Sequence, residues 1–187
     1  MLTLPNILTL GRLALVPWFL MASYREQWKL ALIIFISAAI TDVLDGFLAR
    51  RMNLRSRLGA VLDPAADKIL MICGFLFYTL HGSPAVRLPA WLTFTVFIRD
   101  FLIVVFAYLL YTRVQVKRFP PSWAGKASTV TQAVTLAATI AVNAFAPGPT
   151  RVLEVLFRLA LVITLFSGWD YMRRGKGLLE GTPGEAI

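Results

Sequence analysis

Apolar residues run along this chain in six long segments, which short polar links separate. A helix that crosses the hydrocarbon core of a membrane needs about 20 largely apolar residues, and the links carry turn residues such as Gly and Pro. The predicted membrane helices are Ile7–Ala22, Lys29–Arg50, Leu58–Leu80, Pro89–Tyr111, Ala124–Ala146 and Val152–Met172. The pattern therefore predicts an all-α, polytopic membrane protein with one domain over residues 1–187 and a mobile polar tail at 175–187.

Composition supports a membrane protein and excludes other classes. Of the 187 residues, 58% are hydrophobic and 16% are charged, against about 25% charged in soluble domains. One cysteine, Cys73, excludes a disulfide scaffold, and the apolar content excludes a disordered chain. The first residues, MLTLPNILTLGR, lack the basic start of a cleavable signal peptide, so the first apolar segment is expected to stay as a membrane helix.

The net charge of +9 comes from basic residues that are distributed unevenly between the two sides of the predicted membrane. Eleven bases lie in links that share one side of the predicted membrane: Arg50, Arg51, Arg55, Arg57, Arg113, Lys117, Arg118, Lys126, Arg173, Arg174 and Lys176. Four lie on the other side: Arg25, Lys29, Arg87 and Arg151. Basic loops stay in the cytoplasm, so both termini are predicted to be cytoplasmic in a cell (inner) membrane. This explains most of the charge without a nucleic-acid partner.

Four of the ten acids lie inside the second and third predicted helices, near their cytoplasmic ends. They are Asp42, Asp45, Asp63 and Asp67. An aspartate in the middle of a membrane costs about 2.5–3.5 kcal/mol, so these side chains are expected to face one another, a polar cleft or bound cations rather than lipid.

The spacing groups these acids with small and basic residues on two helix faces, because positions three, four, seven or eight apart lie on one face. The two sets are Asp42, Asp45, Gly46, Ala49 and Arg50, and Gly59, Asp63 and Asp67. Four facing carboxylates repel one another, and hard divalent cations such as Mg²⁺ or Mn²⁺ relieve that repulsion. The alternatives are ion pairs with nearby arginines, or a proton relay in a transporter.

The stretch from Asp42 to Asp67, DVLDGFLARRMNLRSRLGAVLDPAAD, fits D-x2-D-G-x2-A-R-x8-G-x3-D-x3-D at all eight fixed positions. That pattern resembles the signature of the CDP-alcohol phosphatidyltransferase family, and the six-helix layout is similar to the family along almost the whole chain. The resemblance implies a membrane enzyme, usually a homodimer, that uses an alcohol to displace CMP from a CDP-linked lipid. Its expected partners are CDP-diacylglycerol, the acceptor alcohol and membrane lipids.

The resemblance also implies residue roles. Asp42, Asp45, Asp63 and Asp67 hold two metal ions, Mg²⁺ or Mn²⁺, and Asp67 is also the general base. The expected contacts of the CDP-lipid are Asn6, Thr9, Gly46, Ala49, Arg50, Ser56 and Gly59. Arg12, in the same N-terminal segment as Asn6, is expected to help cap the nucleotide pocket. The polar cleft is expected between the second and third helices, open to the cytoplasm.

Other segments bear on the acceptor, and they point to two branches of the family. DPAADKIL, GKASTVTQ and SGWDY resemble the phosphatidylglycerophosphate synthases, which implies glycerol 3-phosphate as acceptor. The pair Arg99-Asp100 and the preceding LPAWL are similar to the cardiolipin synthases of the family, which use phosphatidylglycerol. Arg99 and Lys126 are the predicted contacts of the acceptor phosphate. For Arg99 the alternative is a structural ion pair with Asp100 or another buried acid, and the ~100° between adjacent helical residues disfavours the pair with Asp100.

Two other classes remain as alternatives. Buried acids also occur in proton- or cation-coupled transporters, although the chain shows no broken helix or inverted repeat. A membrane scaffold whose basic loops bind anionic lipid is the third class. Metal-dependent release of CMP from a CDP-lipid separates the enzyme from both.

Overall fold

The structure is a computed structural model that describes the backbone of residues 4–51, 59–81, 86–114, 122–145, 148 and 150–179. Side chains are described over residues 10–42, 68–81, 86–109, 112, 122–145, 148 and 150–175.

Six α-helices make up the described part of the chain, as the sequence predicts. They are α1 (Leu4–Tyr24), α2 (Trp28–Arg51), α3 (Gly59–Leu80), α4 (Ala90–Val114), α5 (Trp123–Phe145) and α6 (Arg151–Leu179). The largest difference is at the end of α6, which continues seven residues past the predicted end at Met172. Arg173, Arg174 and Lys176 are good helix formers, and hydrophobicity sets the end of a membrane span rather than the end of a helix.

Three helices are long and apolar enough to cross a membrane when only described residues are counted: Ala90–Leu109, Trp123–Phe145 and Arg151–Gly175. Two other described segments, Leu10–Tyr24 and Lys68–Leu80, are apolar but shorter. Large apolar side chains such as Trp18, Phe94 and Phe101 are about two-thirds exposed, as expected where helices contact lipid.

The first of two compact units comprises residues 1–88 and 136–149, and in it α1 packs against both α2 and α3. Phe19 of α1 is fully buried, and its ring centroid lies 5.9 Å from that of Phe35 and 6.5 Å from that of Tyr78. The Tyr78 hydroxyl lies 3.4 Å from Ser23 Oγ, so the buried phenol has a polar partner. These contacts hold α1 against the two helices that carry the acidic segment.

Gly74 marks a close approach inside this unit. A Cβ atom on Gly74 would lie 2.6 Å from Leu136 Cδ2, and Leu136 is fully buried. We therefore expect overpacking to cost Gly74→Ala about 1–3 kcal/mol. The better helix propensity of alanine offsets about 1 kcal/mol of this, so the variant is expected to be less stable than Gly11→Ala. Gly11→Ala is the matched control: its Cβ meets no described atom within 4 Å, and alanine favours a helix by about 1 kcal/mol. Unfolding both variants in one detergent gives the comparison, and equal stability would contradict the packing.

The second unit comprises residues 89–135 and 150–187, and in it α4 packs against α6. A buried polar ladder joins α5 to α6 and consists of Ser128, Gln132 and Thr164. Gln132 Nε2 donates to Ser128 Oγ at 3.0 Å and to Thr164 Oγ1 at 3.2 Å, and the two hydroxyls lie 3.2 Å apart. All three residues are at most 2% exposed, so each satisfies polar groups of the others where water is absent.

Candidate functional site

The eight fixed residues of the aspartate signature lie on two helices, at the end of α2 and the start of α3. Because α2 is continuous through Arg51, the backbone positions of its five signature residues lie on one face of the helix. The predicted site residues whose side chains lie outside the described residues are Asn6, Thr9, Asp45, Gly46, Ala49, Arg50, Ser56, Gly59, Asp63 and Asp67. The distances among the four carboxylates therefore remain a prediction.

Asp42 is the signature aspartate with a described side chain, and it pairs with Arg12 of α1. Arg12 Nη1 donates to Asp42 Oδ1 at 2.6 Å. The Arg12 side chain is 1% exposed, whereas that of Asp42 is 41% exposed. A buried guanidinium needs an anionic partner, so Arg12 fixes the Asp42 carboxylate while leaving it accessible. This pair is not predictable from the sequence pattern, in which its one signal is an arginine inside an apolar helix.

The chemistry of Asp42 fits a divalent cation. Within the described residues no three Asp, Glu, His or Cys side chains form a group that could hold a metal ion, and three of the four signature aspartates lie outside that set. Asp42 itself offers the oxygen donor that Mg²⁺ and Mn²⁺ prefer. It is partly exposed and is oriented by a hydrogen-bonded partner, as metal-binding carboxylates usually are.

Arg99 lies in α4, and its side chain is only 10% exposed. Nη1 donates to Asp100 Oδ1 at 2.9 Å, and Nη2 donates to Ser167 Oγ of α6. The expectation that adjacent helical positions disfavour the pair with Asp100 was wrong, because the long arginine side chain reaches back to its neighbour. Arg99 Nε is buried and has no hydrogen-bond partner among the described residues. Such a donor is unusual in a folded protein and calls for a hydrogen-bond acceptor from outside the described residues.

The first turn of α5 lies against this guanidinium. Ser122 Oγ caps the helix by accepting the Gly125 N–H at 3.0 Å. A Cβ atom on Gly125 would lie 3.5 Å from Arg99 Nη2 and 3.9 Å from Ser167 Oγ. The N-terminal turn of a helix carries partial positive charge and favours anions. Arg99, its partner Asp100 and the start of α5 therefore lie together, and we call this place the Arg99 site.

Lys126 follows Gly125 in the first turn of α5, but its ammonium points elsewhere. The side chain is exposed, and Nζ lies 5.3 Å from the centroid of the Trp123 ring. Lys126 therefore follows a residue of the Arg99 site in the sequence, but its ammonium makes no described contact with that site. Its role with the acceptor phosphate remains a prediction.

Asp170 of α6 is a further polar residue of this region that sequence reasoning did not select. It lies three positions after Ser167 and so shares a helix face with it. Its Oδ1 accepts from Arg174 Nε at 3.0 Å, while its buried Oδ2 has no partner among the described residues. The available signal was the motif SGWDY, in which a carboxylate follows an apolar run. A free carboxylate oxygen of this kind can accept a hydrogen bond from a hydroxyl group.

Comparison with known proteins matches residues 2–166 to the CDP-alcohol phosphatidyltransferase family. The chain is 36% identical over 182 residues to a CDP-diacylglycerol--glycerol-3-phosphate 3-phosphatidyltransferase of Salmonella typhimurium, across 93% of this chain and 95% of that protein. An Aquifex aeolicus protein of the same name is 32% identical, across 93% and 96%. Human cardiolipin synthase (CMP-forming) is 30% identical across 95% of this chain, which spans 63% of the length of that protein.

Proposed function

The chain belongs to the CDP-alcohol phosphatidyltransferase family, and we propose that it transfers the phosphatidyl group of CDP-diacylglycerol to glycerol 3-phosphate, releasing CMP. The observation that carries the choice of acceptor is the Arg99 site, where a buried guanidinium with an unpartnered Nε meets the start of α5. An acceptor that brings its own phosphate would give this Nε the hydrogen-bond acceptor that it lacks among the described residues. The bacterial relatives named for this reaction support the same choice across almost their full length.

The reaction needs a base and stabilisation of negative charge. The acceptor hydroxyl oxygen attacks the phosphatidyl phosphorus, the bond from that phosphorus to CMP breaks, and the hydroxyl proton passes to the proposed base, Asp67. The four signature aspartates would hold two Mg²⁺ or Mn²⁺ ions, which when bound would stabilise the entering and leaving oxygens. The proposed contacts of the CDP moiety are Asn6, Thr9, Gly46, Ala49, Arg50, Ser56 and Gly59. Arg12 orients Asp42, and Arg99 and Lys126 bind the acceptor phosphate.

The protein is a membrane protein, and its finer topology is part of the proposal. All six helices would span a cell (inner) membrane with both termini in the cytoplasm, and the cleft between α2 and α3 would open on that side. The excess of basic residues in the links on that side supports this orientation. A homodimer is proposed from the family resemblance.

A cardiolipin synthase that uses phosphatidylglycerol is the second candidate. The observation in its favour is the Arg99–Asp100 pair, because this pair is similar to the cardiolipin branch and is present as a 2.9 Å hydrogen bond. Membership of the family leaves the transporter and scaffold alternatives without support.

An acceptor panel tests the proposed function. Purified protein is incubated with CDP-diacylglycerol, Mg²⁺ and one of four acceptors: glycerol 3-phosphate, phosphatidylglycerol, inositol phosphate or serine. We expect CMP and phosphatidylglycerophosphate from glycerol 3-phosphate, with the lipid product identified by mass spectrometry. Cardiolipin from phosphatidylglycerol, with no reaction of glycerol 3-phosphate, would replace this proposal with the second candidate.

The contact between Arg12 and Asp42 leads to a separate prediction. Arg12→Met fills the same buried space but removes the hydrogen bond that orients Asp42. Loss of such a partner lowers metal affinity by about 10–100-fold, so we expect the Mg²⁺ concentration for half-maximal activity to rise by that factor. Arg158→Met is the control, because that arginine is exposed and pairs with Glu154 at 3.6 Å on the surface of α6. A metal requirement that is the same in both variants would contradict the orienting role.

A further inference from the structure

A groove of about 290 Å³ runs between α4 and α6 in the second unit, and its walls are mostly apolar. The walls include Ile98 and Leu102 on α4, and Leu165, Trp169 and Met172 on α6. These five side chains are between 47% and 56% exposed, so the groove is open along its length. Both helices are long and apolar enough to cross a membrane, and the groove therefore opens toward lipid.

The groove also has a charged part, because Arg99 and Gly168 line it. A Cβ atom on Gly168 would lie 3.5 Å from Arg99 Cγ, so the glycine keeps the arginine stem uncovered. Arg99 is nine-tenths buried and its Nε has no hydrogen-bond partner among the described residues. The guanidinium carbon of Arg173 lies 5.7 Å from the centroid of the ring of Trp169, which lines the groove. Arg99 pairs with Asp100 and keeps one N–H donor unpartnered among the described residues, so this apolar groove fits an amphiphile with an anionic head that accepts from that donor.

We propose that this groove binds an anionic glycerophospholipid, with one acyl chain along α4 and α6 and the phosphate at Arg99. The inference rests on the proposed function, in which Arg99 contacts the acceptor phosphate. Lipid and glycerol 3-phosphate then exclude each other, and membrane lipid regulates access of the soluble acceptor.

Binding of a single-chain probe to the purified full chain in detergent tests the proposal. The probe is radiolabelled 1-oleoyl-glycerol 3-phosphate, and the comparison lipid is 1-oleoyl-glycerol, which has the same chain but no phosphate. We expect the anionic lipid to bind about tenfold more tightly, the effect of one charge-assisted contact. Leu102→Trp fills part of the groove. It is expected to weaken binding about tenfold, the effect of keeping roughly two methylene groups of the acyl chain out of the groove. Phe101→Trp, one position along and 67% exposed outside the groove, is the matched control.

Met172→Trp fills the groove from α6 and guards against misfolding of the Leu102 variant. Equal binding of the two lipids, or unchanged binding in both groove-filling variants, would overturn the proposal. In kinetics, the anionic lipid should raise the apparent KM for glycerol 3-phosphate and leave that for CDP-diacylglycerol unchanged. If glycerol 3-phosphate is never consumed but the binding results hold, the proposed acceptor fails and the lipid site stands. If glycerol 3-phosphate is consumed but the lipid does not bind, the lipid site alone fails.

Discussion

Asparagine in place of Asp63 is expected to reduce CMP release by about 10²- to 10³-fold while the protein stays folded. The amide removes the negative charge that a divalent cation requires, and each lost stabilising contact to a reacting phosphoryl group has an effect of about 10²–10³. Asp42→Asn is expected to act in the same direction, and in that variant Arg12 also loses its carboxylate partner. Activity is measured with saturating CDP-diacylglycerol and acceptor.

Glu154→Gln is the matched control for these changes, because it makes the same carboxylate-to-amide exchange at an exposed position of α6. Titration of the protein with Mn²⁺, followed by electron paramagnetic resonance, is expected to show two bound ions in the parent and weaker binding in the aspartate variants. Full activity in excess EDTA would refute the metal site, whatever the variants do.

The second large effect is expected at Arg99. Arg99→Lys keeps a positive charge beside the buried Asp100 carboxylate, so the ion pair is retained. It loses the guanidinium geometry, so we expect the KM for glycerol 3-phosphate to rise by about 10- to 150-fold, equivalent to one charge-assisted hydrogen bond. The KM for CDP-diacylglycerol is expected to stay within about twofold, because binding of the donor does not involve this contact.

Lys126→Ala provides the comparison that separates buried from exposed cations. The Lys126 ammonium lies over the Trp123 ring on the exposed surface, so the expected rise in acceptor KM is smaller, about fivefold at most. Arg158→Ala, an exposed arginine at the other end of α6, serves as the neutral control. If Lys126→Ala raised the acceptor KM more than Arg99→Lys does, the acceptor phosphate would not bind at the buried guanidinium.

The helices were predictable from the sequence because length and hydrophobicity dominate in a membrane protein. The predicted starts lie within three residues of the observed ones, as with Pro89 against Ala90 for α4. The ends of α4 and α6 were set too early, since hydrophobicity stops at the membrane boundary whereas helical hydrogen bonding continues through Val114 and Leu179. The sequence therefore located the helices better than their ends.

The contacts of the site were less predictable, because they depend on how helices pack. The pair between Arg12 and Asp42 joins residues 30 positions apart, and no periodicity within α1 or α2 specifies it. Arg99 was selected correctly as a buried cation, but its contacts with Ser167 and the first turn of α5 arise from three helices meeting. Sequence patterns identify charges that need partners, and only the packed structure identifies the partners.

The buried polar ladder also sets the rotational phase of α5. Gln132 lies seven residues after Gly125, which is about two helical turns, so the ladder and the Arg99 site share one face of the helix. A single-residue insertion between these positions would turn one relative to the other by about 100°, and the helix could then satisfy only one of them. A four-residue insertion would nearly restore the phase. The number of residues between Gly125 and Gln132 is therefore constrained. Substitutions at exposed positions of this segment should be tolerated more readily than an insertion or a deletion.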